Sequence, residues 1–135
     1  VILGLRLLFL GVLGSMLWVT TWASSACPLF AVPRSVATHP WFIATMADAY
    51  WGFVTFYVWV AFKQTTWCAR AAWLVAILLL GNIAMASYCL AELFLARRTT
   101  PLAELLNVRR TGPGLLGIAL GTLGLAVVIA ALQRP

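Results

Sequence analysis

Two acids, one amide and a few hydroxyls lie where polarity is costly, inside long apolar runs. Asp48 stands in the run 41–62, and Asn82 and Glu92 stand in the run 71–96. At 100° per residue, Thr45, Asp48, Gly52, Thr55 and Trp59 fall within an arc of about 80°. Asn82, Met85, Cys89 and Glu92 share a similarly narrow arc. Each run therefore carries one polar stripe on an otherwise apolar surface. A carboxylate at the centre of a bilayer costs about 2.5–3.5 kcal/mol or more, so such stripes face protein or water. Two readings follow. In one, the stripes are interhelical glue, with Asp48 opposite Asn82 and Glu92 meeting Arg97 or Arg98 near the surface. In the other, Asp48 and Asn82 form a proton or ligand site. No second acid lies at the depth of Asp48, so a proton relay would lack its next station.

Other chemistry is sparse. His39, the only histidine, precedes Pro40 and Trp41. It is a candidate cofactor ligand, for a chlorophyll-type magnesium at the interface, or simply a solvated loop residue. A bis-His haem is excluded within this chain. Cys27, Cys68 and Cys89 form no CxxC or zinc spacing. No P-loop, Ser-His-Asp set, H-E-x-x-H or paired-carboxylate pattern occurs. No catalytic residue, metal or intrinsic cofactor is expected, although a bound lipid or pigment is compatible with the sequence.

The elements that would position these residues follow from composition. The 135 residues are 64% hydrophobic and 9% charged, with a mean hydropathy of +1.01. Soluble domains run at about 45–50% apolar and about 25% charged. A soluble enzyme and a disordered chain are both excluded on that ground, and the solvent is a bilayer. The net charge of +6 then points to anionic lipid rather than nucleic acid. Four apolar runs, 3–23, 41–62, 71–96 and 114–132, approach the roughly 20 residues of a spanning helix. The first flows into tryptophans rather than an A-x-A cleavage site and reads as a retained span. The expected fold is an all-α integral membrane protein, a four-transmembrane-helix bundle with both termini on one side.

Aromatic residues mark the boundaries. Trp18, Trp22 and Trp41 cluster at one surface, and Trp59, Trp67 and Trp73 at the other, as an interfacial belt with Arg97 and Arg98. Beyond Phe94 there is no aromatic residue. The chain therefore divides into an aromatic-rich core, 1–98, and an Arg-rich loop with a glycine-rich fourth helix, 99–135. Orientation is undecided. The loops 24–40 and 97–113 carry five cations and the opposite surface carries four.

Gly114, Gly117, Gly121 and Gly124 fall within an arc of about 80° and include a GxxxG pattern. They mark a close-contact face. Its partner is the small face of the first helix, with Gly11 and Ser15, or another subunit.

Several stretches carry a resemblance. Pro40-Trp41-Phe42-Ile43-Ala44-Thr45, Asp48-Ala49-Tyr50, Phe56-Tyr57-Val58-Trp59-Val60, Lys63, Trp67, Arg70 and Leu80-Gly81-Asn82-Ile83-Ala84 resemble a bacterial and plant membrane family, domain of unknown function 1475. The resemblance covers about residues 5–96. The family typically has an acid after its lysine, where this chain has Gln64, and it ends soon after the third helix, so the fourth looks like an extension. The resemblance implies a small helical membrane protein and no particular activity. The expected function is a non-catalytic accessory subunit of a larger membrane complex, respiratory or photosynthetic, in a bacterial cytoplasmic (inner) membrane. Its partners would be lipids and other membrane subunits, not nucleic acid. The alternative is a small membrane enzyme or carrier for a lipid, isoprenoid or pigment, using Asp48 and Asn82.

Overall fold

A computed structural model describes residues 1–96, 100–109 and 114–133, and every regular element among them is helical. Helix α1 covers Ile2–Ala26. A 3-10 turn at Leu29–Ala31 and the single turn α2, Arg34–Ala37, lead to α3, Pro40–Lys63. Helix α3 starts cleanly, because Pro40 needs no N–H partner and His39 Nδ1 accepts from the Trp41 N–H at 3.3 Å. Helices α1 and α7, the latter Gly114–Leu132, are long and apolar enough to cross a membrane. Between α3 and α7 lie α4, Trp67–Leu80, α5, Asn82–Leu95, and α6, Leu102–Asn107.

The third apolar run is not one helix. Gly81 has φ +52° and ψ −125°, a conformation that side chains other than hydrogen rarely adopt. It ends α4 and starts α5, and the chain reverses there. The rings of Trp73 and Tyr88 meet at 4.9 Å, and Lys63, which ends α3, reaches Glu92 near the end of α5. Helices α4 and α5 are thus the two arms of a helical hairpin, each of 14 residues or about 21 Å. Its tip lies against α3, since a Cβ on Gly81 would stand 2.7 Å from the Phe53 ring. Both arms end at the same level as Lys63, here the basal end. The expected single third helix is replaced by this hairpin because one backbone reversal overrides a continuous hydropathy signal.

Helix α7 runs parallel to α4. Cβ atoms built on Gly114, Gly117, Gly121 and Gly124 would approach Ala69, Trp73, the Ala72 carbonyl and Leu79 in turn, at 3.3, 2.7, 3.1 and 3.0 Å. The glycine face therefore packs inside the molecule, where the absence of Cβ lets backbones approach. Its partner is α4 rather than α1, for Gly11 has nothing within 4 Å and Ser15 is exposed, donating to the Val12 carbonyl. Helix α1 packs instead along α5. The core is Val60, Trp73, Ala76, Ile77, Ala84 and Tyr88, all in the basal half of the molecule. Helix α1 begins at the basal end, where Ile2 packs with Leu93, Ala96 and Leu105. Helix α7 starts at that end and leaves it, so the described chain begins and finishes at opposite ends.

Candidate functional site

Three polar side chains are buried at the basal end, namely Lys63, Gln64 and Glu92, each at most 1% exposed. The sequence reading pairs Glu92 with Arg97 or Arg98. Arg97 and Arg98 lie outside the described residues, and Glu92 pairs with Lys63. The pair exists because the hairpin brings α5 back to the end of α3. Lys63 Nζ donates to Glu92 Oε2 and to the Leu105 carbonyl of α6, both at 2.5 Å, and lies 5.2 Å from the Trp59 ring centroid. Lys63 thus draws α5 and the short helix α6 onto the end of α3. A buried charge is tolerated only when paired and hydrogen-bonded in this way.

Aromatic side chains wall the pair. Trp59, Phe56 and Trp73 each meet Tyr88 edge-on, with centroids 5.5, 6.1 and 4.9 Å away, the favoured geometry for ring quadrupoles. The Trp59 Nε1–H donates to the Leu106 carbonyl at 3.1 Å, and Gln64 Nε2 donates to the Tyr88 hydroxyl at 3.2 Å. Arg6 of α1 closes the end of α5, its Nη2 donating to the Leu93 carbonyl at 2.7 Å and the Ala96 carbonyl at 3.3 Å. A cation at a helix C-terminus also complements the helix dipole. The α3–α4 turn is pinned by Arg70 Nε donating to the Gln64 carbonyl and by the Tyr57 hydroxyl donating to the Arg70 carbonyl.

Beside the pair lies a cavity of about 360 Å³ between α1, α3, α5 and α6. Its walls are Leu5, Phe9, Phe56, Trp59, Leu93 and the α6 leucines, with Cys89 and Glu92 among the lining. The wall is almost wholly apolar, and Glu92 Oε1 is buried with no hydrogen-bond partner among the described residues. A cavity of this size and lining is the usual form of a small-molecule site. Among the described residues no cluster of three or more His, Cys, Asp or Glu could hold a metal ion.

The other sequence candidates fall elsewhere. Asp48 and Asn82 are exposed. Thr45 and Thr55 are exposed and donate to the carbonyls four residues back, of Trp41 and Trp51. His39 is exposed, and its Nδ1 caps α3 by accepting from the Trp41 N–H. Trp18, Trp22, Trp41 and Trp67 are exposed, as interfacial residues would be, but Trp73 is fully buried and Trp59 half-buried against the core. Sequence reasoning placed Glu92, Cys89 and Trp59 on the polar stripes and missed Lys63 and Gln64. The available signal was the Gly81-Asn82 pair, a chain-reversal signature within an apolar run.

Residues 1–111 match the family described as protein of unknown function, DUF1475. The match takes in α1 to α6 and stops before α7. No curated protein and no solved structure matches the chain.

Proposed function

The chain belongs to the DUF1475 family of proteins of unknown function, and from that premise we propose a small integral membrane protein that holds an apolar-chained, lipid-class ligand in its basal cavity. The observation that carries the reading is the apolar cavity of about 360 Å³ between α1, α3, α5 and α6. On this reading α1, α3 and α7 cross the bilayer, and the α4–α5 hairpin enters it from the basal side and returns. Apolar helices of 10–14 residues suit such re-entrant segments better than full spans.

The host is a bacterial cytoplasmic membrane, with the exposed tryptophans at its surfaces. The carrier alternative thereby moves from Asp48 and Asn82 to Glu92 and Lys63. The accessory-subunit reading drew on a free glycine face, and that face is occupied by α4. Native mass spectrometry from a mild detergent tests the proposal. The expected result is one lipid-class adduct per chain, depleted at least tenfold when Cys89→Phe fills the cavity. An empty wild-type cavity, together with a protein partner at fixed stoichiometry, would establish the subunit reading instead.

A further inference from the structure

We propose that the exposed face of α3 around Asp48 docks a membrane-spanning helix of another protein, one that carries a lysine or arginine at the same depth. This rests on the reading above that α3 crosses the bilayer, and it is independent of the cavity and its ligand.

The need for a partner follows from depth. The indole of Trp41, 77% exposed, marks the membrane surface at the start of α3, opposite the basal end. Asp48 follows seven residues later, which puts it about 10 Å into the hydrocarbon. Its side chain is too short to snorkel that far, a route open to lysine and arginine. Asp48 is exposed, and among the described residues no hydrogen bond or ion pair reaches its carboxylate. The nearby Thr45 hydroxyl has its proton on the Trp41 carbonyl. An acid inside a bilayer is costly and faces protein or water. One chain alone therefore leaves α3 incomplete at this position.

The surroundings of Asp48 indicate the chemistry of the partner. Trp51, Gly52 and Thr55 follow Asp48 at the i+3, i+4 and i+7 positions of one helical face, and all three are exposed. A Cβ on Gly52 would have nothing within 4 Å, so α3 is open there to close approach by a second backbone. The Trp51 ring, 71% exposed, lies one turn from Asp48 and can take a cation on its face. A carboxylate beside an indole face calls for a cation rather than a neutral donor. Lipid supplies none at this depth, because charged head groups stay outside the hydrocarbon core. A second copy in the same orientation supplies none either. Among the described residues Arg6, Lys63, Arg70 and Arg109 are basal, and Arg34 precedes α3 at the other surface. The cation therefore comes from a different chain.

The test uses the full-length protein in phosphatidylcholine vesicles with a polyleucine helix of about 20 residues that carries one lysine at mid-span. Association is read by fluorescence transfer between labels on the two, and helices with leucine or glutamate at that place are the controls. The lysine helix is expected to associate with the wild type at least tenfold more tightly than the leucine helix. Asp48→Asn is expected to remove most of that difference, and Asp48→Lys to transfer the preference to the glutamate helix. Gly52→Ile is expected to weaken association severalfold with thermal stability unchanged. Equal binding of the lysine and leucine helices by the wild type overturns the proposal. Self-association of the wild type that Asp48→Asn abolishes overturns the assignment to a different chain. Unchanged association in Gly52→Ile overturns the close approach at that point. In a background lacking the native cysteines, Asp48→Cys that reacts with a maleimide as fast as a cysteine in water overturns the span reading of α3, and the docking surface with it. A protected Asp48→Cys, with no preference of the wild type for the lysine helix, overturns the docking surface alone.

Discussion

Lys63 shows how a charge is made compatible with an apolar interior. Its ammonium has Glu92, the Leu105 carbonyl and the Trp59 ring around it. Removing one member of such a pair leaves the other charge buried and uncompensated, at a cost of about 3–5 kcal/mol. Lys63→Met is therefore expected to lower unfolding stability by that amount in detergent micelles. Lys63→Met combined with Glu92→Leu should recover most of the loss, since an apolar replacement of both partners is often neutral. A double variant no more stable than the single would show that the pair is not the cause. Glu92 was legible as a member of a polar stripe because periodicity is a local property. Its partner was not, because Lys63 lies 29 residues away and meets it only if the chain reverses between them.

Two glycine positions of opposite character separate element-level packing from propensity. A Cβ on Gly117 would stand 2.7 Å from the buried indole of Trp73, whereas one on Gly11 would meet nothing within 4 Å. Gly117→Ala is expected to lower the Tm by several degrees. Gly11→Ala should leave it unchanged or raise it, by up to about 1 kcal/mol of helix propensity. Equal effects at the two sites would remove the close α4–α7 contact from the account. Gly81→Ala should cost about 1–3 kcal/mol for its left-handed backbone, and more as Phe53 gives way, again read as a loss of Tm. The 3-4-3 spacing made the contact face of α7 readable in advance, since only close approach rewards four glycines on one side. The partner was unreadable, because α4 became available as a separate element only through the break at Gly81. Hydropathy averages over a window and does not register one dihedral angle.

Across the whole molecule, the re-entrant reading proposed above changes which side each segment would occupy. Four full spans would return the chain to its starting side, whereas three spans and a re-entrant hairpin leave the ends on opposite sides. Single cysteines introduced as Val1→Cys and Gln133→Cys in a background lacking Cys27, Cys68 and Cys89 should react with an impermeant maleimide from opposite faces of sealed vesicles. Labelling from the same face would overturn the re-entrant topology. The charge balance shifts as well. Among the described residues, Arg6, Lys63, Arg70 and Arg109 belong to the basal side and Arg34 to the other. On the three-span reading, four of these five cations are basal, and the positive-inside rule would then put the basal end on the cytoplasmic side.

The hairpin also has a consequence for biogenesis. Arms of about 21 Å fall short of a hydrocarbon core of about 30 Å, so neither qualifies as an independently inserted span. Each arm relies on a neighbour, α5 on α1, which is synthesised before it, and α4 on α7, which is synthesised after it. Until α7 arrives, the face of α4 that includes Trp73 lacks its glycine cover. The α4 surface is therefore completed only when α7 docks on it. A nascent chain arrested before residue 114 would present that uncovered face to whatever chaperone or protease surveys the membrane.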